Sequence, residues 1–79
     1  MIKKRPLVVV EWHDTSLEVD WQCEEHSYDV EPVYCQSVGW VLPNKKQCLL
    51  LVPTRNDKET SSARLAIPLG CITNIRRIE

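Results

Sequence analysis

Residues 33–52 read Val33-Tyr34-Cys35-Gln36-Ser37-Val38-Gly39-Trp40-Val41-Leu42, then Pro43-Asn44-Lys45-Lys46, then Gln47-Cys48-Leu49-Leu50-Leu51-Val52. The first block is rich in β-branched and aromatic residues. A period of two sets Val33, Cys35, Ser37, Gly39 and Val41 on one face, and Tyr34, Gln36, Val38, Trp40 and Leu42 on the other. Gly39 within it predicts a bulge or bend, as found where a small sheet curls into a barrel. Pro43 to Lys46 predict a turn, because proline presets φ and asparagine tolerates turn geometry. Gln47 to Val52 predict a third strand, whose apolar run marks it as the central one.

Working outward, Leu7 to Trp12 predict a first strand covered on both faces, broken by Asp14, Thr15 and Ser16. Pro53 to Ser62 is polar throughout and reads as a loop. Ala63 to Ile67 predict a fourth strand stopped by Pro68, and Gly70 predicts a tight turn. Behind it, Ile72, Ile75 and Ile78 recur every third residue, which suits a 3₁₀ turn, while their β-branching suits a strand. A turn followed by a fifth strand satisfies both. The fold expected is all-β: a single domain over residues 1–79, a small five-stranded SH3-like or Sm-like barrel with a long acidic first loop, closed because open edges in so small a sheet invite pairing with other chains.

That loop carries the main charge signal. Glu11, Asp14, Glu18, Asp20, Glu24, Glu25, Asp29 and Glu31 fall in one window without Lys or Arg. The rest of the chain holds all ten basic residues against three acids, so the formal net charge of −1 hides a two-signed surface. No sustained alternation runs through the window, and Trp21 is the aromatic expected to anchor it. A solvated face, a mimic of a nucleic-acid phosphate track and a patch docking on the basic surface of another copy are all open readings.

At 79 residues the chain buries only roughly 60% of the surface that its unfolded form exposes. A small core is therefore expected to gain from self-association. The basic start at Met1 to Arg5 is followed by too short an apolar run, Leu7 to Val10, for a signal peptide or a membrane span. The chain thus reads as complete from Met1 and cytoplasmic, and in a reducing compartment Cys23, Cys35, Cys48 and Cys71 stay as free thiols. Cys23 and His26, three apart, are the candidate zinc ligands, with Cys35 or Cys48 as further donors, and a zinc-stabilised interaction module is an alternative reading of the chain, but no second paired motif accompanies them.

The pattern resembles a group of small, mostly uncharacterised proteins encoded by bacteriophages and prophages. The resemblance lies in Val10-Glu11-Trp12-His13-Asp14, in Trp21, in Ser37-Val38-Gly39-Trp40-Val41-Leu42, and in Ile67-Pro68-Leu69-Gly70-Cys71-Ile72 with Ile75 and Ile78 behind. It implies a small β-barrel and an accessory role, such as modulation of host machinery or of anti-phage defence in the host cytoplasm, and no particular activity.

Catalysis is not expected. His13 and His26 are the only imidazoles, and with two glycines the chain has neither a nucleophile elbow nor a phosphate-binding glycine loop. No cofactor is indicated. The expected partners are a host protein, engaged through Trp21, Glu24 and Glu25, or a small anionic nucleotide. The nucleotide would sit in pockets between protomers lined by Arg64, Arg76 or Arg77 and a tryptophan. Direct nucleic-acid binding through Lys3, Lys4, Arg5, Lys45, Lys46, Arg55, Lys58, Arg64, Arg76 and Arg77 is the alternative. A sequence pI near 6.1 and the scatter of these cations over ends and turns weigh against it.

Overall fold

The computed structural model describes residues 1–14, 21, 24–25, 31–44 and 46–79. Seven strands follow in chain order: β1 (Leu7–Asp14), β2 (Val33–Leu42), β3 (Cys48–Val52), β4 (Thr54–Arg55), β5 (Ser61–Ser62), β6 (Leu65–Pro68) and β7 (Ile72–Arg77). Five of them form one antiparallel sheet in the order β6-β3-β2-β1-β7, and β4 and β5 pair separately.

The strand pairing follows from the lengths of β1 and β2. β1 pairs with β2 along its whole length, from Leu7 opposite Trp40 to Asp14 opposite Val33. β2 then uses Trp40, Val41 and Leu42 to pair with Val52, Leu51 and Leu50 of β3. The central strand is therefore β2 and not β3 as expected. The apolar run of β3 reflects its two neighbours, β2 and β6, and partial cover on both faces, which do not require the middle position. β1 also runs through His13 and Asp14, beyond the break expected at Asp14, because Tyr34 and Val33 extend the ladder and the His13 ring packs edge-on against Tyr34 with centroids 4.3 Å apart.

One face of the sheet makes the core. Val8 and Val10 of β1, Leu51 of β3 and Ile67 of β6 are buried together, with Trp12, Val41, Leu49, Leu65, Cys71 and Ile72 packed around them. The alternation expected in β2 holds: Cys35, Ser37, Gly39 and Val41 lie on the more covered face, while Tyr34, Gln36 and Val38 are exposed. On the core side the Trp12 indole N–H donates to Ser37 Oγ at 3.0 Å, which satisfies its donor inside a mostly apolar layer.

The sheet must curl. β6 and β7 lie at opposite edges, a flat-sheet separation of about 19 Å, yet only a 3₁₀ turn at Leu69–Cys71 joins Pro68 to Ile72, a reach of at most about 14 Å. Register widens the gap further, since Pro68 lies opposite Cys48 and Ile72 lies opposite Trp12. Curling brings β6 against β1 across the core, although the two strands are not neighbours. β6 and β7 do not pair with each other among the described residues, so the closed barrel expected from the sequence is not found.

Two local devices serve this curvature. A Cβ on Gly39 would sit 2.9 Å from the Val52 carbonyl oxygen, so β3 passes too close to β2 there for any side chain. The register shift between Glu11 and Trp12 is a bulge in β7: Asn74 faces Glu11, Ile72 faces Trp12, and the extra Thr73 donates its hydroxyl to the Glu11 carbonyl at 3.1 Å. The bulge sets Ile72 and Ile75 on the same face, opposite Trp12 and Val10. This is the physical origin of their spacing of three.

The polar stretch expected as a loop is a hairpin. Thr54 and Arg55 pair with Ser62 and Ser61, and Asn56 Oδ1 accepts the Lys58 and Thr60 amides at 3.0 and 3.1 Å. Side-chain hydrogen bonds hold it without an apolar anchor. Ala63 has φ of 55°, which takes it out of the strand expected to begin there, and β6 starts at Leu65. Pro68 is accommodated because β6 is an edge strand. Gly39→Ala should lower unfolding stability by about 1–3 kcal/mol in urea titrations. Gly70→Ala, whose Cβ meets nothing within 4 Å, should change it by no more than about 0.5 kcal/mol. Equal effects at the two glycines would contradict the close approach of β3.

Candidate functional site

The face of the sheet turned away from the core carries a cleft of about 350 Å³. Its floor is apolar: Leu42 and Leu50 are cross-strand partners at the junction of β2 and β3, with Pro43 beside them. Its walls come from two elements outside the sheet. The N-terminal arm contributes Lys3 and Arg5, and the β4–β5 hairpin contributes Arg55, Glu59, Thr60 and Ser61, with Arg64 just beyond it.

Both walls are held in place. The arm is fixed at its base, where the Pro6 carbonyl accepts the Val41 amide at 2.9 Å and the Leu7 amide donates to the Glu79 carbonyl at 2.9 Å. Farther out, the Arg55 guanidinium donates to the Lys3 carbonyl and ties the arm to the hairpin. Arg64 Nε donates to Ser61 Oγ at 3.3 Å, and Glu59 sits at φ of 59° inside the turn organised by Asn56. Arg5 Nε is buried and has no hydrogen-bond partner among the described residues.

Four cationic side chains thus converge on a site where Glu59 is the one carboxylate among the lining residues. Charges of one sign above an apolar floor focus a positive potential into the cleft, and guanidinium groups offer forked donors that match oxyanions. The arrangement can attract and orient a small anion.

Of the arginines expected to bind an anion, Arg64 lines the cleft. Arg76 and Arg77 do not. They lie on β7, opposite Val9 and Val8, and Arg77 Nε donates to the Glu79 carbonyl at 3.1 Å. No tryptophan lines the cleft either. Trp21 is fully exposed at 103%, and Glu24 and Glu25 are exposed as well. Cys23 and His26 lie outside the described residues. Cys35 and Cys48, their suggested co-ligands, pair with different strands, Cys35 opposite Trp12 of β1 and Cys48 opposite Pro68 of β6, and among the described residues no group of three or more His, Cys, Asp or Glu is placed to hold a metal ion.

Sequence reasoning counted Lys3, Arg5 and Arg55 among the scattered cations and passed over Glu59, Thr60 and Ser61. A signal for the first pair exists, since Lys3 and Arg5 are two apart and share a side of an extended chain. Arg55 and Arg64 flank one polar stretch, which hairpin closure brings together.

A second, more apolar crevice of about 240 Å³ lies where β2, the end of β3 and the start of β6 meet and is lined by Val38, Leu51, Val52, Pro53, Ala63 and Leu65 with Ser37. No helix among the described residues is long and apolar enough to cross a membrane. Comparison with protein-family models, curated proteins and solved structures yields no match to this chain.

Arg55→Ala should free the arm from the hairpin. Amide exchange at Val41, whose N–H is bonded to Pro6, should accelerate, while global stability falls by no more than about 1.5 kcal/mol. Lys58→Ala, on the exposed turn of the hairpin, should leave that exchange rate unchanged. Equal rates in the two variants would show that the Arg55–Lys3 contact does not hold the arm.

Proposed function

We propose that this chain is a non-enzymatic binding protein that captures a small anionic ligand, such as a nucleotide held through its phosphate. The observation that carries this reading is the convergence of Lys3, Arg5, Arg55 and Arg64 on an apolar-floored cleft. In this reading one chain supplies the cleft, and the pocket between protomers suggested by the sequence is a further possibility for the same arginine, Arg64.

The architecture proposed is an SH3-like or Sm-like barrel left open between β6 and β7. Its support is the strand order β6-β3-β2-β1-β7 together with the 3₁₀ connection between the two edge strands. Those open edges favour a homo-oligomer, because unpaired strand edges offer backbone hydrogen bonds to another copy. The likeness to small phage and prophage proteins suggests an accessory role in the host cytoplasm, where removing a signalling nucleotide would modulate host defence. An extended nucleic acid is a poorer fit, since Arg76 and Arg77 stand apart from the cleft and do not prolong it into a track.

A second reading, docking on a host protein through the acidic segment, is favoured by one observation. Trp21 is a large aromatic wholly exposed near Glu24 and Glu25, and exposed aromatics are common anchors of protein interfaces.

Calorimetric titration with mononucleotides and cyclic nucleotides should give saturable binding at low salt that weakens as ionic strength rises, since partly exposed charges carry it. Arg64→Ala should weaken it roughly tenfold. The absence of heat across the whole panel at low salt would rule the reading out.

A further inference from the structure

We infer that the cleft selects a phosphomonoester that carries sugar hydroxyls, as in a pentose phosphate or the sugar-phosphate part of a mononucleotide, and that it does not read the base. The inference rests on the anion-binding reading above and specifies the ligand of that same site.

The cations come first. Lys3 and Arg5 on the arm face Arg55 and Arg64 on the hairpin side, so a bound group meets positive charge from two directions. That suits a compact dianion better than a single carboxylate, and guanidinium forks match phosphate oxygens bidentately.

Glu59 is the informative exception. A carboxylate in an anion site opposes the ligand unless that ligand also brings hydrogen-bond donors. Glu59 is not there through a loose backbone, because its left-handed conformation is set within a turn closed by Asn56. Next to it, Thr60 and Ser61 contribute hydroxyls that can both donate and accept. Cations on a phosphate, with a carboxylate and two hydroxyls on vicinal sugar hydroxyls, use every polar group of the lining.

Nothing in the lining is suited to a base. The cleft contains no aromatic side chain to stack on one and no carboxamide to match a base edge. Its floor of Leu42, Pro43 and Leu50 is apolar and undirected. The volume of about 350 Å³ lies near the lower end of small-molecule pockets, which span roughly 300–1,000 Å³, so the cleft suits a small ligand.

The test is calorimetric titration of the full chain with ribose 5-phosphate, AMP, CMP, inorganic phosphate and adenosine. Ribose 5-phosphate, AMP and CMP should bind alike, inorganic phosphate about tenfold more weakly, and adenosine not at all. Glu59→Gln should narrow the gap between ribose 5-phosphate and inorganic phosphate, by weakening the first and strengthening the second. Should that variant disturb the turn, the ligand series on the unaltered protein decides alone. A preference of more than about tenfold, or 1.4 kcal/mol, between AMP and CMP would overturn the base-blind inference and leave anion binding standing. Equal affinity for inorganic phosphate and ribose 5-phosphate would remove the sugar contacts. Failure of every phosphorylated compound to bind would instead defeat the anion-binding reading itself.

Discussion

The connection from Pro68 to Ile72 constrains the rest of the molecule. It joins strands at opposite edges of a five-stranded sheet through a 3₁₀ turn of three residues, and a flat sheet cannot accommodate so short a link. Curling follows, and with it a concave face on which Val8, Val10, Leu51 and Ile67 meet from three strands. The same curvature drives the Val52 backbone onto β2 and makes Gly39 obligatory there. It also accounts for the bulge at Thr73, which keeps Ile72 against the core and leaves Ile75 on the same side but exposed.

With so few residues committed to the core, the functional surface is assembled outside it. The cleft is walled by the N-terminal arm and the β4–β5 hairpin, neither of which contributes to the buried cluster. Hydrogen bonds do the work that packing does elsewhere: Asn56 closes the hairpin turn, Arg55 ties the hairpin to Lys3, and Val41 anchors the arm at Pro6. The division has a physical logic. Cations that would be costly in a core keep their charge on the rim, above the partly buried Leu42 and Leu50.

How far the fold could be read in advance differed from element to element. β2 was legible to the residue, because its alternation is unbroken and Pro43 follows directly at its end. The turn and strand after Pro68 were legible from glycine, β-branching and the spacing of three. The hairpin at 54–62 was not, because it buries no apolar face and so leaves no hydrophobic period. Strand order was misjudged for a related reason. An apolar run reports how much cover a strand receives, and β3 receives it next to an edge. In the cleft, Arg64 was picked out as an anion ligand, but Arg76 and Arg77 were grouped with it only by residue type.

The sequence alone determined that this is a β protein with strongly separated charge, since those properties reside in local periods and in composition. Only the tertiary structure decided which cations meet. Lys3 and Arg55 are 52 positions apart and become neighbours because sheet curvature and hairpin closure bring the arm and the hairpin to one side of Leu42 and Leu50. Local patterns specify the elements, whereas a binding site depends on distances between elements, which are set when the whole chain packs.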